Sequence, residues 1–358
     1  MEETITYILP FMDLQTRKTC RLLSKHIYSV ENSIPLEALN LHFSNARRLQ
    51  SSRKITTRNI TINGSIPLCT DLIVYNADFH VDAPRLKNLF IEDVWRHDIH
   101  FQIPNKVKYL SLMSCACNFT NQIQVGKSVA DLQCTQCVLN RLDIKRPLRS
   151  LFVYNCGACE PIGVPNVEYI TLRDAYINRL SFCGSKSTKF ENCTFQETPL
   201  LSNDTTDLAW INCNAIPSDF VEIDLPMLDT LNFGENHTLR EIPVNFKKSN
   251  LTSLNIVHTR IDYSDIDYPG LNSLVCDMKP KDFAVFNYGV EYEYLEICVK
   301  SMVDFADLVQ FCKKVSTKHI KIHHCLLYNG CARFEEDCIR AAMPNTLCEF
   351  QYCRMAHV

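Results

Sequence analysis

The sequence has little of what a nucleic-acid or membrane partner would require. Its 37 basic and 40 acidic residues give a formal charge of −3, so there is no basic excess to neutralise a phosphate backbone, and we expect no nucleic-acid partner. No apolar run approaches the ~18 residues of a membrane span, and the first residues, MEETITYILP, carry acids where a secretion signal has basic residues. We therefore expect no membrane partner and a location in the cytoplasm, the nucleus or both.

The sequence also lacks local signatures of catalysis. It contains no G-x-S-x-G, no P-loop and no G-x-G-x-x-G, and its nine glycines are few for loops that bind phosphate. We therefore expect no catalytic residues and no cofactor, and we predict that the chain is not an enzyme.

Cysteine, in contrast, is abundant. Nineteen cysteines scattered through a long chain do not form the even framework of a secreted disulfide protein, and they fit a reducing compartment. Cys134 and Cys137 have the C-x-x-C spacing of many zinc sites, and further pairs precede and follow them, at Cys115 with Cys117 and at Cys156 with Cys159. A metal cluster is thus one interpretation to test against the rest of the pattern.

A repeat of about twenty residues organises most of the chain. Its pattern is apolar, two residues, apolar, one residue, apolar, two residues, and then often cysteine, as in Leu86, Leu89, Ile91 and Val94. Further copies lie at Leu36, Leu39, Leu41 and Ser44; Ile60 and Ile62; Val107, Leu110, Leu112 and Cys115; Val129, Leu132, Cys134 and Cys137; Leu148, Leu151, Val153 and Cys156; Val167, Ile170, Leu172 and Ala175; Phe190 and Asn192; Leu208, Ile211, Cys213 and Ile216; Leu228, Leu231, Phe233 and Asn236; Leu251, Leu254, Ile256 and Thr259; Leu271, Leu274 and Cys276; Leu295 and Ile297; Ile320 and Ile322.

These copies resemble the leucine-rich repeat family, whose consensus is L-x-x-L-x-L-x-x-N/C-x-L, over residues 34–300 or slightly beyond. The resemblance implies that each copy forms one short parallel strand, that the strands stack into a curved solenoid, and that the residues between the inward ones line a concave binding face. Because the copies are short, we expect turns or 3₁₀ segments between the strands. The register is compressed between residues 57 and 80, where CTDLIVYNADF offers a strand soon after Ile62.

The repeat frame argues against a zinc cluster. Cys115, Cys137 and Cys156 occupy the same position of successive copies, so they should form an inward row at the ~4.8 Å spacing of strands and not a tetrahedron. Cys134 takes an inward strand position, where a free cysteine packs as a small hydrophobic residue. We interpret His323 and His324 as a solvated pair and expect no metal.

The N-terminal segment TYILPFMDLQTRKTCRLLSKHIYSV lies outside the repeat and predicts short helices. Its residue order resembles the F-box, the module that binds the Skp-type adaptor of cullin ubiquitin ligases, although Pro10 would kink the first helix and Ile27 stands at an aromatic position. The resemblance implies an adaptor-binding surface made of Ile8, Leu9, Phe11, Met12, Leu22, Leu23, Ser24 and Lys25. An amphipathic cap on the solenoid is the alternative.

The sequence pattern of the C-terminal residues differs from the repeat and predicts a cap. SMVDFADLVQFCKKV places Phe305, Leu308, Val309 and Cys312 on one helical face, and RFEEDCIRAAMPNT predicts a helix that ends before Pro344. Strands are expected at HIKIHH and EFQYC. Such elements would cover the last open edge of a solenoid.

Candidate binding residues follow from the period of two along each strand, because they alternate with the inward residues. We expect a protein client at the concave face, and Trp210 and Tyr169 close to that face. The predicted client-binding residues are Phe90, Glu92, Met113, Gln133, Thr135, Phe152, Tyr154, Arg173, Asn212 and Asn214.

Together these observations predict an α/β solenoid. A short N-terminal helical F-box-like module (residues 1–33) precedes a curved parallel-sheet leucine-rich-repeat solenoid (residues 34–300), and residues 301–358 form C-terminal repeats and a cap of helices and strands. The resemblances imply a substrate-recognition subunit of a Skp, cullin and F-box type ubiquitin ligase. The alternative is a leucine-rich-repeat interaction scaffold without a ubiquitin link, whose N-terminal helices form a cap.

Overall fold

The computed structural model describes the chain in segments. They are residues 36–38, 53–58, 62–77, 79–94, 101–118, 123–124, 128–140, 147–157, 162–165, 167–177, 180–183, 185–196, 199–213, 223–237, 244–245, 250–261, 270–279, 281–299, 305–324 and 332–352. The F-box-like module predicted for residues 1–33 lies outside these segments. Within them, no helix is long and apolar enough to cross a membrane.

The described segments are rich in strand and contain little helix. The strands are β1 Leu36–Ala38, β2 Lys54–Arg58, β3 Ile62–Ser65, β4 Asp71–Tyr75, β5 Phe79–Asp82, β6 Asn88–Glu92, β7 Phe101–Gln102, β8 Tyr109–Met113, β9 Ala116–Asn118, β10 Ile123–Gln124, β11 Asp131–Thr135, β12 Val138–Asn140, β13 Leu148–Tyr154, β14 Ile162–Pro165, β15 Val167–Arg173, β16 Tyr176–Ile177, β17 Leu180–Cys183, β18 Ser187–Glu191, β19 Thr194–Phe195, β20 Asp207–Ile211, β21 Ile223–Asp224, β22 Thr230–Asn232, β23 Val244–Asn245, β24 Ser253–Asn255, β25 Ser273–Met278, β26 Glu291–Val299, β27 Ser316–His324 and β28 Leu347–Tyr352. The helices are α1 Asp282–Val285, α2 Phe305–Lys314 and α3 Ala332–Ala342.

The chain forms two compact units. The first comprises Met1–Glu168 with Asp174–Ser181, and the second comprises Tyr169–Arg173 with Phe182–Val358. Parallel strands follow one another in the first unit in the order β1-β2-β4-β6-β8-β11-β13. In the second unit the order is β15-β18-β20-β22-β24-β25-β26-β27-β28, again all parallel. Each unit is a parallel β-solenoid, which confirms the predicted solenoid of parallel strands.

Short parallel strands occupy several connections between the main strands. In the first unit β3 pairs with β5, β10 with β7 and β12 with β9, and in the second unit β21 pairs with β23. The expectation of turns or 3₁₀ segments there was wrong at these places. Because these strands pair with the equivalent connection of a neighbouring repeat, their backbone groups find partners that a solvent-exposed turn would leave to water.

The core of each unit consists of the inward residues of the repeat. Leu89 and Ile91 are fully buried on β6, and the alternation buried, half-exposed, buried recurs on the neighbouring strands. All predicted inward residues from Leu86 to Ala175 and from Leu228 to Cys276 are buried, which confirms the frame in both stretches. Burying one such aliphatic side chain contributes roughly 1.5–3 kcal/mol, so the sum over the repeats is the main source of stability.

A left-handed residue ends most of the main strands. Its φ lies between 44° and 66°, and it stands directly before the position at which the consensus has Asn or Cys. Asn and Asp tolerate this conformation better than other residues with a side chain, and they fill six of the ten positions. The ten residues are Asn76, Asp93, Ser114, Gln136, Asn155, Asp174, Asn192, Asn212, Glu235 and His258.

The next position forms an inward row of thiols in the first unit. The Cys115 thiol donates to the Met113 carbonyl at 3.1 Å and to the Ile91 carbonyl of the preceding repeat at 3.5 Å. Cys137 and Cys156 repeat both contacts one and two repeats later. The predicted row is therefore confirmed. Since each thiol bonds its own pair of backbone carbonyls, the row joins successive repeats and does not converge on a common point.

In one repeat of the second unit, an asparagine occupies the same position. Cys193 donates to the Leu172 carbonyl at 3.3 Å, as the thiols of the first unit do, whereas the buried Asn236 uses both ends of its amide. Its Oδ1 accepts the Cys213 N–H at 2.8 Å, and its Nδ2 donates to the Trp210 carbonyl of the preceding repeat. Cysteine and asparagine thus perform one structural task, which is to hydrogen-bond the backbone of the preceding repeat.

The predicted register was wrong on β20. Trp210 is buried with 1% of its surface exposed and contacts the Phe190 ring edge-on at 5.2 Å, whereas Ile211 is only half-buried on the opposite side of the strand. The prediction had placed Ile211 inward and Trp210 close to the outer face. Because Phe195 and Phe233 also contact the indole, at 5.0 and 6.3 Å, this part of the core is aromatic.

The register was also wrong near the start of the repeats. Residues Ile55 and Thr57, on β2, supply the inward positions that had been assigned to Ile60 and Ile62, while Ile62 belongs to the connecting strand β3. Leu36, and not Leu39, stands in register with Ile55. The compression at residues 57–80 disappears, since β4 follows β2 at a spacing of 17 residues and pairs with it directly.

Helices α2 and α3 occupy the last two connections, between β26 and β27 and between β27 and β28. Leu308, Phe311 and Cys312 form the buried face of α2, so Phe311 takes the place predicted for Phe305. Helix α3 ends before Pro344, as expected, and strands β27 and β28 contain the predicted HIKIHH and EFQY segments.

The interpretation of His323 as one of a solvated pair was wrong. Its side chain is 16% exposed, and Nε2 contacts Oε1 of Glu296 on the neighbouring strand. The side chain of His324 lies outside the described part of the chain.

Candidate protein-binding surface

The outer face of the first unit is the solvent-facing side of strands β2, β4, β6, β8, β11 and β13. Strand register aligns its side chains in three rows. The first row holds Lys54, Asp71, Asn88, Tyr109, Asp131 and Ser150; the middle row holds Thr56, Ile73, Phe90, Ser111, Gln133 and Phe152; the last row holds Arg58, Tyr75, Glu92, Met113, Thr135 and Tyr154.

Aromatic side chains stand on strands β6, β8 and β13 of this face. The rings of Phe90 and Tyr109 lie 5.5 Å apart on neighbouring strands, and Phe152 stacks on Tyr154 at 6.4 Å. Met113 stands between the two pairs, with 37% of its surface exposed. We call these five residues the aromatic patch. All five keep part of their surface exposed, so a partner could still bury apolar area against them.

A short hydrogen-bonded chain fixes one residue of the patch, Tyr109. The Tyr109 hydroxyl contacts the Gln133 Oε1 at 2.5 Å, and the Gln133 Nε2 donates to the Thr135 hydroxyl at 3.3 Å. Because the amide is held from both sides, its neighbours lose little rotamer freedom when a partner binds, which favours affinity.

Charged groups flank the patch in the first row. Arg149 donates to Asp131 through Nε at 2.9 Å and through Nη2 at 2.5 Å, and the Ser150 hydroxyl donates to the same carboxylate at 2.7 Å. Burial alone would raise the pKa of Asp131, but these hydrogen bonds and the Arg149 charge hold it below its ordinary value. Asp71 accepts a hydrogen bond from the Asn88 amide at 2.7 Å.

The last row begins with a basic, aromatic and acidic group in succession. The Arg58 guanidinium lies 5.0 Å from the centre of the Tyr75 ring, and burial together with the charge of Glu92 raises the pKa of the Tyr75 hydroxyl. Burial likewise raises the pKa of Glu92. The first and last rows therefore carry both acidic and basic groups, whose charges partly neutralise each other beside the aromatic patch.

Seven of the ten predicted client-binding residues lie on this face, and their role stays a prediction. Arg173 stands on the outer face of the second unit, 3.6 Å from Glu191, together with the half-exposed Tyr169. Asn212 is a turn residue with φ 48° whose amide donates to Asn192 at 2.7 Å, so its assignment to a strand face was wrong. Asn214 lies outside the described residues.

Sequence reasoning missed three of the apolar and aromatic residues of the face. Ile73 and Tyr75 were lost with the register of β4, although their alternation with Leu72 and Val74 is the signal that finds them. Tyr109 was missed because the outward positions of β8 were predicted only after the inward Leu110. The eight predicted adaptor-binding residues, from Ile8 to Lys25, lie outside the part of the chain that the structure describes.

The carboxylates of the face are engaged by neighbouring groups. Its three rows contain no cysteine or histidine, and their carboxylates, Asp71, Glu92 and Asp131, are each engaged by a neighbouring amide, hydroxyl or guanidinium. Comparisons of the chain with protein-family models, with curated proteins and with solved structures found no match. Function therefore has to follow from the residues and geometry of the chain itself.

Proposed function

We propose that the outer face of the first unit binds a protein client, and that the chain is a non-catalytic substrate receptor in a ubiquitin ligase of the Skp, cullin and F-box type. The observation that supports client binding is the aromatic patch, in which Phe90, Tyr109, Met113, Phe152 and Tyr154 stay partly exposed on the parallel strands β6, β8 and β13 of one face. The ligase assignment is supported by the resemblance of residues 1–33 to the F-box and of the repeats to leucine-rich repeats.

The dimensions of the face suit a protein partner. Six strands at ~4.8 Å spacing span about 24 Å, and five residues along each strand span about 16 Å, so the face offers roughly 380 Å² of projected area. A standard protein interface buries about 800 Å² on each side, so the client would also contact the loops that border the sheet. Aromatic side chains near the middle of such an interface carry most of its binding energy.

Client binding is tested with Phe90→Ala and Tyr109→Ala, on the two middle strands of the face, against the matched control Lys54→Ala, which lies on its edge strand. Proteins captured by the wild type are compared quantitatively with those captured by each variant. We expect the two aromatic variants to lose at least about tenfold in affinity for the client, since a central aromatic contributes more than about 1.4 kcal/mol. Equal capture by all variants would exclude this face as the binding surface.

The ligase link is tested separately with a purified Skp-type adaptor. Leu9→Lys and Met12→Lys should abolish adaptor binding and leave client capture unchanged, because the two surfaces are in different parts of the chain. Thermal unfolding of the variants shows whether the residues act instead as a cap. Failure of the wild type to bind the adaptor would refute the ligase function, and the alternative, an interaction scaffold without a ubiquitin link, would then rest on client capture alone.

A further inference from the structure

A cluster of side chains with potential metal-ligand atoms lies on the outer face of the second unit. His258 stands in the turn after β24, Asp277 is on β25 and Cys298 is on β26. Asp277 and Cys298 are in register on neighbouring strands, so their side chains leave the sheet side by side. All three residues are only partly buried, which leaves a path for an ion from solvent.

The potential ligand atoms converge. One atom from each residue lies within 4.8 Å of the other two, and His258 Nε2 is 3.8 Å from Cys298 Sγ. Tetrahedral zinc with bonds of about 2.3 Å to sulfur and 2.0–2.1 Å to nitrogen separates two such ligands by roughly 3.6 Å. The observed separation is therefore within a few tenths of an ångström of what the ion needs. Asp277 Oδ2 also accepts the His258 backbone N–H at 2.6 Å, which fixes the carboxylate.

We propose that His258 Nε2, the Asp277 carboxylate and Cys298 Sγ bind a zinc ion. Imidazole, carboxylate and thiolate together select zinc over magnesium and calcium, which prefer oxygen ligands alone. The thiol releases its proton to solvent as the metal binds, and the thiolate and carboxylate then balance the charge of the cation. Three protein ligands leave a fourth position for water or for a donor from a partner.

A neighbouring carboxylate prepares His258 for this role. Glu235 Oε1 lies 2.7 Å from His258 Nδ1, so Nδ1 carries the proton and Nε2 presents its lone pair toward Cys298. Carboxylates commonly orient metal-binding histidines in this way. The backbone at His258 is left-handed, with φ 58°, at a position where the other repeats use mostly Asn or Asp.

The same residues also resemble a thiol nucleophile, His258 and Glu235 in a hydrolytic triad, and the geometry favours the metal. A carboxylate beside the thiol, supplied by Asp277, opposes formation of the thiolate that a nucleophile needs. The same negative charge stabilises a bound cation. Asp277 therefore has a role in a metal site and none in a triad.

The test titrates zinc into the full chain after chelator treatment, with calorimetry as the readout. The wild type should bind one zinc equivalent that His258→Asn and Cys298→Ser each lose. Asparagine is chosen because it tolerates the left-handed turn. The matched control is Cys338→Ser, which removes another half-buried thiol and should keep that equivalent. Glu235→Gln should weaken zinc binding by roughly 10–100-fold, because it disturbs the orientation of His258.

A second readout covers variants that fold poorly. With cobalt in place of zinc, the wild type and Cys338→Ser should show a thiolate-to-cobalt absorption band that Cys298→Ser lacks, and circular dichroism without metal should be the same for all three. The proposal fails if the wild type takes up no zinc, or if His258→Asn and Cys298→Ser bind it as Cys338→Ser does. Rapid alkylation of Cys298 that zinc does not slow would also overturn it, in favour of a free thiol nucleophile.

Discussion

Replacing Asn236 with alanine should test whether the inward row of cysteines and asparagine holds successive repeats together. Its side chain is buried, with Oδ1 accepting the Cys213 N–H at 2.8 Å and Nδ2 donating to the carbonyls of Phe233, at 2.6 Å, and of Trp210. Alanine removes all of these hydrogen bonds, and its methyl group can form none in their place.

The expected loss follows from the groups left behind. A buried N–H without a partner costs about 1–3 kcal/mol, and the two carbonyls cost less because each has a second lone pair. We expect Asn236→Ala to lower the free energy of unfolding by about 3 kcal/mol. Asn236→Cys should lose about half as much, because a thiol at this position donates to the preceding repeat, as Cys193 does to Leu172.

Urea unfolding followed by tryptophan fluorescence measures both variants. The sequence has two tryptophans, so a Trp95→Phe background makes the signal report on the buried Trp210, next to the substituted repeat. Repeat proteins need not unfold in one step, so midpoints and slopes are compared with the same probe throughout. A loss below about 1 kcal/mol for Asn236→Ala, or an equal loss for Asn236→Cys, would refute the idea that the two residue types perform one task.

Three further predictions follow from the described contacts. Trp210→Ala should cost about 3–5 kcal/mol in urea unfolding, and Ile211→Ala less than about 1 kcal/mol, a difference that would reverse if the predicted register were right. The lowered pKa of Asp131 adds stability that is present above the ordinary carboxyl pKa and lost as the pH falls through the lowered value, so Asp131→Asn should flatten the acid limb of a pH–stability curve by up to ~1 kcal/mol. A thiol hydrogen bond and burial raise the pKa of Cys156, so mass spectrometry should find it unlabelled by iodoacetamide in the native protein, while the half-buried Cys338 reacts.

The parallel solenoid could be predicted from the sequence because its signal is repeated many times. A single copy such as Leu110, Leu112 and Cys115 indicates a strand and nothing more, but a register kept over many copies leaves few other folds in which all of these residues are buried. The inward thiol row followed from the same frame. A register error in one repeat has little effect on the predicted fold, since neighbouring repeats with clear patterns still define the architecture.

The predicted register was wrong where two neighbouring apolar residues could each take an inward position. On β20 the segment DLAWINC offers either Trp210 or Ile211 for the inward position after Leu208, and the branched aliphatic residue matched the consensus better. The structure buries the indole because Phe190, on β18, and Phe233, directly after β22, form an aromatic environment around it. This choice depends on contacts between repeats, and the sequence of a single repeat carries no information about them.

The proposed metal site likewise depends on residues from different repeats, which no short sequence motif brings together. Cys134 and Cys137 have the local spacing of a zinc site, yet both point inward because the strand period places them there. His258, Asp277 and Cys298 have no local spacing at all, since they are about twenty residues apart, which is the length of one repeat. In a parallel solenoid, residues one repeat apart are neighbours in space. A search for metal sites in such a chain should therefore compare residues at the repeat length, and the short motifs should be given less weight than they have in other folds.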